Sequence, residues 1–230
     1  MRATLKQAHG RPALLELVGP AGAGKSMVLQ SLAARVAVRP ASVWSIPKAV
    51  LLVSAVRLLP TLLRFCGQAQ SFPWDDVKHL IRLKALYQLL THRAAGSHEL
   101  VVLDEGPVFA LSWLHVFGHP AIHNGVLAAW WRRTLHEWAA AIDAVILLDA
   151  PDPVLARRIR QRDKALSVRD KSDPEIFAFS ASFRAAFGRV IAALASEGGP
   201  IVLTFGTGAA SPEQVAERLL TALWESPHGR

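Results

Sequence analysis

The stretch Gly19-Pro20-Ala21-Gly22-Ala23-Gly24-Lys25-Ser26 has the pattern G-x-x-x-x-G-K-S, which is the pattern of a phosphate-binding P-loop. It follows the short apolar run LLELV at positions 14–18, which is typical of a buried strand, and it precedes a segment with helical composition at 25–38. Glycine lets the backbone turn so that consecutive N–H groups point at phosphate oxygens, and a helix start adds further unpaired N–H groups. The stretch therefore predicts a strand, a phosphate-binding loop and a helix.

The predicted nucleotide contacts lie within this loop and at the start of the helix. The Lys25 ammonium would reach the β- and γ-phosphates of a nucleoside triphosphate, and the Ser26 hydroxyl would bind Mg²⁺. The alternative is a glycine-rich turn before an ordinary helix, but strand, loop, Lys-Ser pair and helix follow in the order that a P-loop requires. We therefore expect ATP and Mg²⁺ as ligands, with nucleotide contacts at Gly19, Ala21, Gly22, Ala23, Gly24, Lys25, Ser26 and Met27.

Length and composition fit one domain. The chain has 230 residues, of which 51% are hydrophobic, and this suits a single α/β domain over residues 1–230. Its net charge of +8 raises nucleic acid as a partner. However, the segment 157–171 alone holds seven Lys and Arg against two Asp. A local basic cluster beside a P-loop is better explained by polyphosphate, so we expect no nucleic-acid partner.

Two features bear on the compartment. Cys66 is the single cysteine, so no internal disulfide can form, which is compatible with a reducing cytoplasm. Residues 1–12 carry charges and no apolar segment, so we expect no secretory signal. These observations favour a cytoplasmic protein.

The segment 49–66 is the one stretch that resembles a membrane span. It is strongly apolar, but it contains Arg57, Pro60 and Arg64. Its length is borderline for crossing a bilayer, and a central arginine is costly in lipid. We therefore expect a buried or interfacial helix that is kinked near Pro60, and no membrane partner.

The rest of the chain alternates apolar runs with helical patterns. We expect strands at 43–46, 100–103, 145–148 and 201–205, and an irregular segment at 114–124 that Gly118 and Pro120 break. Continuous apolar strands are typical of a parallel sheet that is covered on both faces. Because ligands bind at the carboxyl ends of such strands, Gly19, Asp104 and Asp149 are expected at one site.

Two acids follow the predicted strand at 100–103. Asp104 at the strand end would hold Mg²⁺, directly or through water, as the aspartate of a Walker-B strand does. Glu105 has two interpretations: a general base for a substrate hydroxyl or for water, or an acid that caps a helix or forms an ion pair.

Arginines follow the strand at 145–148. Arg158 and Arg162 are four residues apart, so they would share one face of a helix that begins near Asp152. Positioned arginines stabilise the charge that gathers on a transferring phosphoryl group. The alternative is a solvated basic face, which helices often have.

With these motifs in place, the chain resembles the P-loop small-molecule kinases: thymidylate kinase, its nucleoside monophosphate kinase relatives and deoxynucleoside kinases. The resemblance rests on the P-loop, on Asp104-Glu105-Gly106, and on the segment 147–153 followed by Arg158 and Arg162. It implies a three-layer P-loop NTPase fold with a five-stranded parallel sheet in the order 2-3-1-4-5. It also implies an acceptor region at about 44–124 and a helical lid at about 157–172, in which Arg158 and Arg162 close over the phosphates.

Several residues depart from this family pattern. Glu105 stands where those kinases carry an arginine, and the predicted second strand ends in Ser45-Ile46-Pro47, without the carboxylate that deoxynucleoside kinases use there. The acceptor is therefore expected to be nucleoside-like or nucleotide-like, or another hydroxyl compound.

The acceptor region is rich in Trp and His. Four tryptophans would stack on a flat acceptor, although buried packing is the default for this residue; they are Trp44, Trp74, Trp113 and Trp130. His115, His119 and His123 are spaced by four, but Gly118 and Pro120 interrupt a helix, so an acceptor-lining loop is favoured over a metal site.

Three functions fit these residues. The first is an ATP-dependent and Mg-dependent kinase for a small molecule, in which Lys25, Asp104, Glu105, Arg158 and Arg162 carry the chemistry. The second is a P-loop ATPase that acts as a switch, because an Asp-Glu pair after a strand can activate water. The third is a nucleotide sensor without turnover. A homodimer is one open alternative for the oligomeric state.

Overall fold

The structure is a computed structural model, and it describes residues 13–69, 72–91, 100–122, 126–162 and 167–225. Five strands are present in these ranges: β1 (Leu14–Val18), β2 (Val38–Ala41), β3 (Leu100–Asp104), β4 (Ala144–Asp149) and β5 (Ile201–Gly206). The helices are α1 (Lys25–Ala33), α2 (Lys48–Gln68), α3 (Trp74–Thr91), α4 (Pro107–Phe117), α5 (Val126–Ala141), α6 (Asp152–Arg160), α7 (Asp173–Ser196) and α8 (Pro212–Glu225).

The strands form one parallel sheet in the order β2-β3-β1-β4-β5, so the predicted order is confirmed. The central strand β1 pairs with β3 on one side and β4 on the other, with Leu17 opposite both Asp104 and Ile146. Because all strands run the same way, the loop after β1 and the acids at the end of β3 lie at the same edge of the sheet.

The two faces of β1 contact different helices. Leu15 and Leu17 are buried in a core that α1 and α8 complete, whereas Leu14 and Val18 are buried in a larger core formed with α2, α3, α4, α5 and α7. Side chains of a strand alternate between faces, so this pattern requires helices on both sides. The predicted three-layer α/β arrangement is therefore present.

The predicted second strand at 43–46 is wrong. The strand is Val38–Ala41, and α1 ends at Ala33 rather than continuing to 38. The strand contains Pro40, which lacks an N–H and is not typical of a central strand. However, β2 is an edge strand that pairs only with β3, so one of its sides faces no other strand. A proline is tolerated in such a strand because no neighbour on the open side needs its N–H.

The segment expected to be irregular at 114–124 begins inside a helix. Helix α4 continues to Phe117 and ends at Gly118, whose N–H donates to the Leu114 carbonyl over 3.0 Å. A Cβ at Gly118 would lie 2.3 Å from that oxygen, so a side chain does not fit there. A single 3₁₀ turn follows at Pro120–Ile122.

The expected helical lid at about 157–172 is helical only in part. Helix α6 ends at Arg160, and residues 167–170 form turns before α7 begins at Asp173. Residues 163–166 lie outside the described ranges. The start of α7 is fixed by a capping box in which Ser172 and Glu175 exchange hydrogen bonds.

The segment 49–66, expected to be a buried or an interfacial helix, lies in α2, and α2 is not buried. It is a continuous helix with Pro60 inside it, and only Ser54, Leu58, Leu62 and Phe65 are buried, so it is not a buried core helix. In the described ranges α2 and α7 are both long and apolar enough to cross a membrane, by length and composition alone.

Candidate active site

The P-loop is held against the sheet by a glycine that no other residue can replace. Gly19 has φ of 148°, and a Cβ there would lie 2.0 Å from the Leu148 carbonyl oxygen of β4. Gly24, with φ of 86°, is the residue that precedes α1. Both torsions are in the region that favours glycine, which explains the two fixed glycines of the motif.

Lys25 lies at the centre of the site. Its Nζ donates to the carbonyl oxygens of Gly19, over 2.7 Å, and Pro20, over 3.1 Å. Its enclosed position lowers the pKa of the ammonium to about 8, and the negative charges of Asp104 and Glu105 oppose that shift. These carboxylates are therefore close enough for the Lys25 ammonium to interact with them.

Two cavities meet at this lysine. The first, which we call the nucleotide-side cavity, has a volume of about 440 Å³ and is lined by Gly22, Gly24, Lys25, Ser26, Met27, Val28, Arg158, Arg162, Thr207, Ala210, Pro212 and Val215. The second, which we call the aromatic cavity, has a volume of about 250 Å³ and is lined by Gly19, Ala21, Lys25, Ser26, Asp104, Glu105, Phe109, Trp113, Phe117, Arg162, Ser167, Phe179 and Phe183. Lys25, Ser26 and Arg162 line both.

Solved structures with a similar arrangement of elements include those of a kinase. Deoxyadenosine kinase from M. mycoides with bound dCTP is 12% identical, with a TM-score of 0.55 over 91% of this chain and 99% of that chain. The same enzyme with dCMP and dCDP is 11% identical, with a TM-score of 0.51 over 91% and 97%. The chain has the fold of the P-loop kinases. The resemblance inferred from the sequence is therefore confirmed at the level of the fold.

The other comparisons with known proteins give weaker support. Residues 8–109 match the family model described as an AAA domain, which is less than half of the chain. Shikimate kinase from Acinetobacter baumannii in complex with shikimate is 17% identical over 94% of this chain and 96% of that chain, but its TM-score of 0.44 is too low to support a shared fold by itself. No curated protein matches the sequence significantly.

In this P-loop kinase fold, two helices supply the aromatic wall. Phe109, Trp113 and Phe117 are spaced by four on α4, and Phe179 and Phe183 are spaced by four on α7. The rings contact one another across the helices, with Phe117 and Phe183 centroids 5.8 Å apart. Sequence reasoning missed four of these five residues, and the spacing of aromatic residues by four was the signal available.

Trp113 packs against a buried histidine, His79. The His79 ring is stacked on Trp113 at 4.0 Å, and its Nδ1 is 2.8 Å from the Asp75 carbonyl oxygen. Burial lowers the pKa of His79, which favours the neutral imidazole. A neutral ring can stack on Trp113 without bringing a charge into the wall.

Asp104 is the last residue of β3, and Glu105 directly after it has a strained backbone. Glu105 has φ of 60° and is the one non-glycine residue with positive φ among the described residues. Such a conformation costs about 1 kcal/mol or more for a non-glycine residue, and it occurs often at functional sites. Both Asp104 and Glu105 line the aromatic cavity beside Lys25; for Asp104, as for Gly19, this is the position that the carboxyl-edge argument predicted.

A buried acid that sequence reasoning did not single out holds the next helix. The Glu16 carboxylate of β1 accepts the N–H groups of Val108, over 2.9 Å, and Phe109, over 3.0 Å, at the start of α4. Burial raises the pKa of Glu16 to about 8, although these hydrogen bonds oppose the shift. The available signal was a charged residue within an otherwise apolar strand.

The two predicted lid arginines have different surroundings. Arg158 donates to the Gly22 carbonyl over 3.3 Å and to the Thr207 carbonyl over 2.8 Å, so it braces the loop against the segment after β5. Arg162 is exposed and lines both cavities. The Thr207 hydroxyl in turn donates to the Ala23 carbonyl over 3.0 Å, and Ala23 itself is buried.

Asp149 ends β4 as expected, but its side chain lines neither cavity. Its carboxylate accepts from Arg184 of α7, with Oδ2 2.8 Å from the arginine Nε. Arg184 also pairs with Asp152 at the start of α6. This ion-pair cluster joins β4, α6 and α7 rather than contributing to the cavities.

The other aromatic and histidine candidates that the structure describes do not line the aromatic cavity. Trp44 contacts His79 and Arg82, Trp74 is exposed, and Trp130 lines a separate groove. His115 packs edge-on against Trp131, and His119 against Phe65. His123 lies outside the described residues.

Proposed function

We propose that this protein is an ATP-dependent kinase that transfers the γ-phosphoryl group to a hydroxyl of a small molecule. The observation that carries this proposal is the pair of cavities that share Lys25, Ser26 and Arg162. Phosphoryl transfer needs a donor and an acceptor on opposite sides of one phosphorus atom, with positive charge between them.

The nucleotide-side cavity is assigned to ATP. Its lining includes the apolar residues Ala210, Pro212 and Val215, which suit a purine ring, and also P-loop residues with Lys25. Arg158 lines this cavity and donates to the carbonyl oxygens of Gly22 and Thr207, so its charge is held in place before the nucleotide binds.

The residues at the shared end fit Mg²⁺. The Ser26 hydroxyl and the Asp104 carboxylate line one cavity beside the P-loop, and oxygen atoms are the ligands that Mg²⁺ prefers. In this proposal Ser26 and Asp104 hold the ion, which supplies positive charge to the phosphates when it is bound.

In the transfer step the acceptor oxygen forms a bond to the γ-phosphorus, and the bond from that phosphorus to the bridging oxygen breaks, which releases ADP. Glu105 accepts the proton of the acceptor hydroxyl, and Lys25 and Arg162 stabilise the charge on the transferring group. All three residues line the aromatic cavity, which supports these roles.

The acceptor belongs in the aromatic cavity. Its charged lining residues are Lys25, Asp104, Glu105 and Arg162, and its apolar wall consists of the five rings of α4 and α7. Such a wall favours a flat or apolar body attached to a hydroxyl, nucleoside-like or otherwise. The protein would carry out this reaction in the cytoplasm, where ATP is available.

A second candidate is a P-loop ATPase that acts as a switch. The position of Glu105 beside Asp104 favours it, because a carboxylate there can also activate water. The match of residues 8–109 to the AAA domain also supports it.

ADP release measured with ATP alone, and then with separate nucleosides, nucleoside monophosphates and aromatic alcohols, distinguishes the two candidates. A kinase releases ADP in step with a phosphorylated acceptor that mass spectrometry detects. Hydrolysis that no acceptor changes would favour the ATPase. The Lys25→Ala variant controls for contaminating activity in both assays.

A further inference from the structure

Helix α2 presents an apolar face to solvent. Leu52 and Leu63 are 67% and 64% exposed, and Val56 and Leu59 lie between them at the same helical spacing. The opposite face, with Leu58, packs on the core. A continuous apolar stripe of this kind on a folded protein marks an interaction surface.

The charge on this helix has one sign. Helix α2 contains Lys48, Arg57 and Arg64 and no Asp or Glu. Arg57 and Arg64 are seven residues apart, so they lie on the same side of the helix. Neither has an ion-pair partner, within the part of the chain that the structure describes.

A basic groove lies along the same helix. It has a volume of about 690 Å³ between α2, α3 and α5, and its cationic lining residues are Arg57, Arg64, Lys84 and Arg133. Glu137 is the one acid among its lining residues, and it is already paired with Lys84 and Arg133. The two arginines of α2 therefore leave a net positive groove that suits a phosphate.

Exposed aromatic residues lie before and after α2 in the sequence. Trp44 precedes the helix, and Phe72 and Trp74 follow it. The ring centroids of Phe72 and Trp74 are 5.8 Å apart. Tryptophan is enriched where protein meets the boundary between lipid headgroups and hydrocarbon. The apolar stripe and the basic groove belong to one helix, and these rings lie close to its two ends in the sequence.

We propose that this face of α2 docks on an anionic phospholipid surface, with Arg57 and Arg64 contacting headgroup phosphates. The helix lies along the surface and does not cross it, because its other face is part of the core. Anionic lipid complements both the apolar stripe and the unpaired arginines. A second copy of α2 would complement only the stripe, since α2 has no acid to pair with those arginines.

Sedimentation with vesicles tests this proposal. We expect the protein to bind vesicles that contain phosphatidylglycerol and not vesicles of phosphatidylcholine alone, with weaker binding at high salt. Leu63→Asp and the double variant Arg57→Glu/Arg64→Glu should each lower the affinity about tenfold or more. The matched controls are Ile201→Asp, at an exposed residue of β5, and Arg157→Glu/Arg189→Glu, which changes the net charge equally.

Other outcomes would overturn the proposal. If the charge control Arg157→Glu/Arg189→Glu lowers the vesicle affinity as much as Arg57→Glu/Arg64→Glu does, net charge alone drives binding. If the unmodified protein does not bind anionic vesicles, the proposal is wrong. Light scattering after gel filtration covers the remaining case: a dimer that Leu63→Asp converts to a monomer, without vesicle binding, would assign the face to an interface between copies. Circular dichroism shows that each variant is folded before these results are compared.

Discussion

The nucleotide-side cavity and the aromatic cavity meet at Lys25, but they are built in different ways. The phosphate-binding part of the first is one continuous segment, residues 22–28, which follows closely on Gly19, and the conformation of Gly19 is fixed by its contact with β4. The second is formed by side chains of α4 and α7, and Phe117 and Phe179 are 62 residues apart in the sequence. Phosphate binding is therefore encoded locally, whereas the proposed acceptor contacts depend on how distant helices pack.

The largest expected effect is at the shared point of the two cavities. Lys25→Ala removes the ammonium between donor and acceptor, and turnover should fall by roughly 10²- to 10³-fold. ADP release at saturating ATP measures it. Lys171→Ala, an exposed lysine that lines neither cavity, is the control and should retain activity. Turnover that survives Lys25→Ala in folded protein would refute the assignment of the site.

Glu105 provides the next test, because its side chain and its backbone make separate contributions. If the carboxylate accepts a proton, Glu105→Gln and Glu105→Gly should both lower kcat about 10²-fold. Only Glu105→Gly relieves the positive φ of 60°, and it should raise the free energy of unfolding by about 1 kcal/mol or less. Urea denaturation measures the second quantity. Full activity of Glu105→Gln would show that the residue matters only for its conformation.

The difference between the cavities also explains what could be predicted from the sequence. The P-loop and the position of Asp104 were predictable, because the first is a contiguous motif and the second follows from the rule that parallel strands end at one edge. The same rule was wrong for the side chain of Asp149, which pairs with Arg184. The aromatic wall was not, because Phe179 and Phe183 have the same spacing as an ordinary core pair. The second strand was misplaced because Pro40 is acceptable only on an edge strand, and the sequence alone does not identify the edge.

A smaller effect is expected from a substitution that changes only the aromatic cavity. Phe117 is 51% exposed and lines only the aromatic cavity, so Phe117→Ala should raise the KM of the acceptor about tenfold while the KM of ATP stays unchanged. Phe72→Ala, at an aromatic residue that is 63% exposed and lines neither cavity, is the matched control. An equal rise in both KM values would mean that the aromatic wall does not act on the acceptor separately.

Glu16 joins the two regions, and its expected effect is on stability rather than on chemistry. It lies on β1, which leads into the P-loop, and its carboxylate holds the start of α4, which carries Phe109 of the aromatic wall. Its pKa in the folded protein is raised to about 8, above the unfolded value of 4.5, so the folded state binds the extra proton. The stability that this group contributes is therefore complete below pH 4.5 and is lost as the pH rises toward 8.

Glu16→Gln removes this titration, but its amide nitrogen cannot accept a backbone N–H, so one of the two hydrogen bonds to α4 is lost. At pH 5 the variant should be less stable than the unmodified protein by about 1–3 kcal/mol, and the gap should narrow as the pH approaches 8. Urea denaturation across this range measures it, with the exposed Glu217→Gln as the charge-matched control. A gap that does not change with pH would mean that Glu16 is already ionised at pH 5, so that its hydrogen bonds to α4 outweigh its burial.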